Sequence, residues 1–187
     1  MPGIPDLASL LERYERPLVR YACSILHDLD SARDVVQETF IRLIRHQEAP
    51  SHDGGPVFTG DKHLEAWLFT VCRHRAVDHQ RKHSRIIPMP ILHEDCATDE
   101  PSPSVRLEQI DGAATALRLM DQLSPNQREV IRLKFQNDLS YKEIAEITEL
   151  TVTNVGFLIH TGLKKLRALM HALPGEAPAP MTTVQSA

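Results

Sequence analysis

Histidines and cations crowd one stretch of the chain, residues 61–85. There His74, Asp78, His79 and His83 mix imidazole and carboxylate groups, and His79 and His83 stand one helical turn apart. Two imidazoles so placed can share a zinc ion whose bound water attacks near neutral pH, the chemistry of metal-assisted hydrolysis. The glutamate that would act as base between the two histidines is absent. Gln80, Arg81 and Lys82 fill the interval, and their charge disfavours a bound cation. His93 and Cys96 have ligand spacing but no second pair, and no glycine-rich loop follows a strand pattern. The expectation is a protein with no catalytic residue, no metal and no cofactor; a hydrolase built on His74, His79 and His83 is the rival reading.

The same stretch fits a second chemistry better. From Asp61 to Arg85 six Lys or Arg stand against three Asp or Glu, in a chain whose formal net charge is -4. Read as a helix from about Lys62 to Lys82, it sets Leu64, Trp67, Leu68, Val71 and Cys72 on a core stripe. Phe69, Arg73, Val77, Gln80 and Arg81 then face away. Cations interleaved with an off-stripe ring suit single-stranded DNA: charge meets phosphates, and a ring face stacks an unpaired base for ~1 to 3 kcal/mol. The bland counterpart is a basic surface helix whose stems cover apolar ground.

The elements that position such groups are all helical by pattern. Leu7, Leu10, Leu11, Tyr14, Leu18, Tyr21, Ala22 and Ile25 recur at helical spacing from about Asp6 to Leu26, with Pro17 expected to kink or split the helix. A second helix, capped by Ser31, runs to about His46 and buries Ala32, Val36, Phe40 and Leu43. Its other side carries Asp34, Gln37, Glu38, Ile41 and Arg45, which reads equally as a docking surface or as a solvated face with one stray apolar residue. Glu48 to Lys62 is a loop. Ile86 to Ser104, with four prolines and four acidic residues, is a linker that cannot bury a core of its own.

Leu123 to Arg167 is a helix-turn-helix. Ser124, Pro125 and Gln127 supply a cap, a first-turn proline and a capping-box partner; Ser140 with Glu143 repeats the device, and Thr151 offers a third cap. Only Thr148, Glu149 and Leu150 join the last two helices, a connection short enough to set them at a steep angle. A preceding helix spans about Pro103 to Gln122, and the chain past Leu173 is expected to be a disordered tail.

At 187 residues these elements make an all-α protein of two small helical domains: 1–85, then a linker at 86–104, then 105–173, with a tail at 174–187. Cys23, Cys72 and Cys96 lack paired spacing, which points to reduced thiols. No apolar run approaches the ~20 residues of a membrane span, and no signal peptide is visible, so a cytoplasmic protein is expected.

Three stretches together carry a resemblance: DLDSARDVVQETFIRLIRHQ from Asp28, AWLFTVCRHRAVDHQRK from Ala66 and LSPNQREVIRLKFQNDLSYKEIAEI from Leu123. In this order they resemble a bacterial RNA polymerase sigma factor of the extracytoplasmic-function group, over about Leu7 to Leu169. The resemblance implies a region 2-like first domain and a region 4-like second domain. It implies that Asp34, Gln37, Glu38 and Ile41 dock on the beta-prime clamp helices of core polymerase, and that the second domain meets the beta flap. Trp67, Phe69, Arg73, His74, Arg75, Gln80 and Arg81 match the segment that melts the promoter -10 element and captures a flipped base. Ser140, Tyr141, Thr151, Thr153, Asn154, Phe157, His160 and Lys164 would face the -35 element. An anti-sigma factor is a further partner of such proteins, and the polymerase performs the catalysis.

The departures from the family pattern are specific. His74 stands where an Asn is usual, and Glu149 where the turn has a glycine. The recognition helix, usually basic, has Gly156, Phe157, Leu158 and Thr161 instead, while Val152, Val155, Ile159, Leu166 and Met170 are assigned to its core face. Phe157 and Leu158 could serve a protein partner or reflect incomplete packing. The alternative function is a helix-turn-helix regulator that does not engage polymerase, against which the acidic stripe argues. With no Lys or Arg from Thr151 to Gly162, weak -35 recognition is expected. Titration of the C-terminal domain with duplex DNA at several salt concentrations should give a log–log slope no steeper than about -3; a steeper one would mean many phosphate contacts.

Overall fold

A computed structural model describes residues 6–48, 58, 60–83 and 118–172. Among them are six helices: α1 (Leu7–Leu26), α2 (Leu29–Glu48), α3 (Asp61–His83), α4 (Pro125–Gln136), α5 (Tyr141–Thr148) and α6 (Val152–His171). No strand occurs among the described residues. Residues 118–121 are helical; the rest of the helix expected from Pro103, the linker and the tail lie outside the described residues.

Helices α1, α2 and α3 pack on one another as a three-helix unit, and α4, α5 and α6 as a second. Helix α1 runs unbroken through Pro17, so the expected split at that residue does not occur. Leu10, Tyr14, Leu18, Tyr21 and Ala22 are buried on both sides of that residue. Continuous packing of this kind outweighs the one backbone hydrogen bond that a proline removes. The helix ends at His27, which takes the left-handed conformation at φ 57° and returns its N–H to the Cys23 carbonyl.

The start of α2 differs from expectation. Asp28, not Ser31, is its cap: the Asp28 carboxylate accepts from the Ser31 backbone N–H at 2.8 Å, and α2 begins at Leu29. The hydrogen bonds from Ser31 hold the Asp28 carboxyl below its ordinary range. Ala32, Val36, Phe40 and Leu43 are buried as the periodicity requires, joined by Val35 and Thr39, whose hydroxyl is satisfied by the Val35 carbonyl at 2.8 Å. Cys72 is a free buried thiol as expected, pushed up to about 12 by burial, whereas Cys23 departs from the reading and is disulfide-bonded.

The helix-turn-helix forms as its caps dictate. Both capping boxes close: Ser124 with Gln127 at 3.3 and 3.2 Å, and Ser140 with Glu143 at 3.3 and 2.6 Å. Glu149 ends α5 at φ 59°, so the turn keeps the left-handed geometry without its glycine. Gly162 of α6 is buried against α4, where an added Cβ would lie 2.6 Å from the Ile131 side chain. That approach lets α4 and α6 pack closely.

Because the Asp28 carboxyl titrates lower in the folded chain, its contribution is present above the unfolded carboxylate range and disappears as pH falls through the folded value. Asp28→Ala should therefore cost about 1 kcal/mol at neutral pH. In chemical denaturation the gap between variant and parent should close at acid pH.

Candidate nucleic-acid and polymerase surfaces

Asp34, Gln37, Glu38 and Ile41 share the solvent side of α2, opposite its buried stripe. Ile41 is 39% exposed, among three groups that carry charge or an amide. An apolar side chain with a polar rim is the anatomy of a small docking site. Glu38 also lies 3.5 Å from Arg75 Nε on α3. One residue of the expected polymerase face thus touches one of the expected DNA face.

Helix α3 has no single outward side. Leu64, Leu68, Val71 and Cys72 are buried as read, but Phe69 and Ala76 are buried too. Phe69 is wholly inside, edge-on to Tyr21 with ring centroids 5.4 Å apart. It has no face for a base, and its assignment to a stacking platform is corrected. The reason is that α3 packs on α1 and α2 with one side and on α5 with another, so off-stripe apolar residues are interior as well. Trp67 is half-buried in an aromatic group with Phe58 at 5.4 Å and His46 at 6.0 Å. Neither of those partners was singled out in the sequence.

The remaining α3 candidates are polar and partly engaged. Arg73 Nε donates to Glu129 Oε1 of α4 at 2.8 Å, and both side chains are about four-fifths buried. Burial opposes the Arg73 charge, but the hydrogen bond and charge of Glu129 outweigh it and raise the guanidinium. Tyr21 of α1 donates to the same Glu129 oxygen at 2.8 Å; burial, then the Glu129 charge, pushes its phenol well up. His74 Nε2 lies 3.0 Å from Glu149 Oε1. Gln80 donates to the Ile25 carbonyl at 3.0 Å, and Arg81 is exposed at the helix end. Among the described residues no group of three or more metal-ligating side chains gathers. His79 and His83 stack on each other at 4.0 Å instead.

On the helix-turn-helix, Thr153, Asn154, Phe157, His160 and Lys164 are all exposed along α6, and Phe157 is 63% exposed. Ser140 and Thr151 spend their oxygens on the backbone N–H groups of Glu143 and Asn154, which leaves their hydroxyl protons to donate. Tyr141 is exposed with its ring near Gly156. Val155 and Ile159 are buried and Leu166 is intermediate, but Val152 and Met170, assigned to the core face, are about half exposed. They lie near the two ends of α6.

Two family models match in this order: sigma-70 region 2 over residues 10–86, and sigma-70 region 4 over residues 114–166. The chain belongs to the sigma-70 family. This sigma factor is 25% identical to the extracytoplasmic-function sigma factor SigM of Bacillus subtilis, over 86% of its own length and 92% of that protein. It is 28% identical to SigL of Mycobacterium tuberculosis, over 89% and 90%. Its fold is that of the sigma factor RpoE solved with the anti-sigma factor NepR from Bartonella quintana, at TM-score 0.65 and 23% identity, covering 90% of this chain and 99% of that one. The sigma factor is a member of the extracytoplasmic-function group that binds RNA polymerase and recognises promoters. Proteins of this family are not enzymes, and no helix among the described residues is long and apolar enough to cross a membrane.

Phe69→Ala should destabilise the sigma factor by about 3 to 5 kcal/mol in denaturant titration, the cost of a large core cavity. Lost single-strand binding with stability intact would return Phe69 to the DNA face.

Proposed function

We propose that residues 1–85 form the unit that docks on core polymerase and opens the promoter -10 element, and that residues 105–173 form the unit that meets the -35 element and the beta flap. Residues 86–104 are the acidic connector between them. The exposed α2 stripe carries this reading: Asp34, Gln37 and Glu38 ring Ile41 on a surface that faces solvent. Their partner is the beta-prime clamp helices.

On α3 the DNA-contacting set is Trp67, Arg73, His74, Arg75, Gln80 and Arg81, the family segment with Phe69 withdrawn from it. Cationic heads hold the strand while a flipped base leaves the stack, which costs a few kcal/mol that pocket contacts offset. On α6 the side chains of Thr153, Asn154, Phe157, His160 and Lys164 face the groove, helped by Ser140, Tyr141 and Thr151. Asn can pair with adenine, and Thr or Phe can touch a thymine methyl. The chain carries out no catalysis itself, works in the cytoplasm, and is a target for an anti-sigma factor, as its structural relative is for NepR.

Pull-down with core polymerase and run-off transcription from promoters selected out of a random library test the whole reading. Asp34→Ala with Glu38→Ala should weaken core binding about tenfold, the equivalent of roughly 1.4 kcal/mol. Circular dichroism should be unchanged. Unaltered core affinity would count against the docking face.

A further inference from the structure

The buried side chains of the two units form one contiguous cluster, and where α1, α3 and α4 meet they leave a cavity of about 330 Å³. It is bordered by Ile25, Arg73, Gln80, Arg128, Glu129 and Arg132. Three guanidiniums thus share the cavity with one carboxylate, in a chain whose formal net charge is -4.

The three charges are not equally answered. Arg73 gives its Nε to Glu129 at 2.8 Å, and Arg128 meets the Asp121 carboxylate at 3.2 Å and the Asp121 carbonyl at 2.9 Å. The half-buried Arg132 guanidinium has no acceptor among the described residues. Burial lowers it, the Arg128 charge lowers it further, and Asp121 restores only part. A cation desolvated beside a like charge, with its donors unspent, carries a cost that a bound anion removes.

We propose that this cavity is a binding site for a small phosphorylated molecule, whose di- or triphosphate group is held by Arg132 and Arg73 in the field of Arg128. A phosphate presents oxygens in several directions, so the planar fork of Arg132 can take two while Arg73, on a different helix, takes a third. A carboxylate presents its two oxygens in one plane, which suits one fork. Gln80 gives one amide hydrogen to the Ile25 carbonyl at 3.0 Å and has a second to offer. The volume lies at the lower end of small-molecule sites, roughly 300 to 1,000 Å³. Three helices wall the cavity, so a molecule that ends inside it fits better than a strand that must enter and leave.

The test uses the intact chain without polymerase. Calorimetric titration at fixed ionic strength reads binding of sodium triphosphate and, in parallel, of ATP in the presence of EDTA. The parent should saturate in the micromolar range, and Arg132→Gln should weaken binding about tenfold. Arg42→Gln, which deletes the same charge at an exposed site on α2, should leave it unchanged. Tighter binding of ATP than of triphosphate assigns the site to a nucleotide, and equal binding assigns it to the phosphate groups alone; either supports the site. Phenylglyoxal labelling of the parent needs no variant. Bound triphosphate should slow modification of Arg132, read by peptide mass, about tenfold while Arg42 reacts as before.

Absence of saturation in the parent, undiminished affinity in Arg132→Gln, or equal losses in the two variants overturns the proposal. So does protection of Arg132 by random-sequence single-stranded DNA of about 12 nucleotides but not by triphosphate, which would make the cavity a groove for a strand.

Discussion

Glu129 is the point on which the closed molecule turns. One carboxylate oxygen accepts from a buried phenol on α1 and from a guanidinium on α3, so three helices from two units meet at a single acceptor. A partly buried ion pair of this kind adds little net stability compared with an apolar substitute, because desolvation cancels much of the attraction. Its value is geometric. Arg73 and Tyr21 have no other carboxylate at hydrogen-bond distance among the described residues, and an unpaired buried donor costs about 1 to 3 kcal/mol. The C-terminal unit is therefore held in one register against α1 and α3.

That constraint explains why α3 loses the pattern of an amphipathic helix. A helix packed on one side shows a clear apolar stripe and a polar remainder. Helix α3 is enclosed by α1 and α2 and by α5, and its polar groups are confined to the strips between. Arg73, His74 and Arg75 occupy those strips, and each meets a carboxylate: Glu129, Glu149 and Glu38. The cations that would hold DNA are the same ones that organise the isolated protein. Under the proposed DNA assignment, promoter binding and self-packing draw on one set of charges.

Most helix boundaries were legible because the signals are local. A serine followed by a glutamine or glutamate three residues on satisfies two backbone donors wherever it occurs, and both such boxes formed. The α2 face was legible for a similar reason, since a helix covered on one side sorts its residues by period alone. Local pattern does not separate Asp28 from Ser31 as the α2 cap, because both are good caps and only three residues separate them. Phe69, Val152 and Met170 differ from the periodic pattern for a deeper reason. Their burial depends on which neighbour covers which turn, and periodicity within one helix says nothing of that.

What the sequence by itself determined was the six helices named among the described residues, the order of two sigma-70 regions and the capping boxes that start α4 and α5. Those follow from hydrogen bonds and spacings within a few residues, where the chain has little choice. Only the tertiary structure decided that Glu129 meets partners 108 and 56 residues away, and that His74 and Glu149, odd when taken singly, form a pair. Such contacts join charges that no local rule relates; they appear when two units are brought together and each buried donor must find an acceptor.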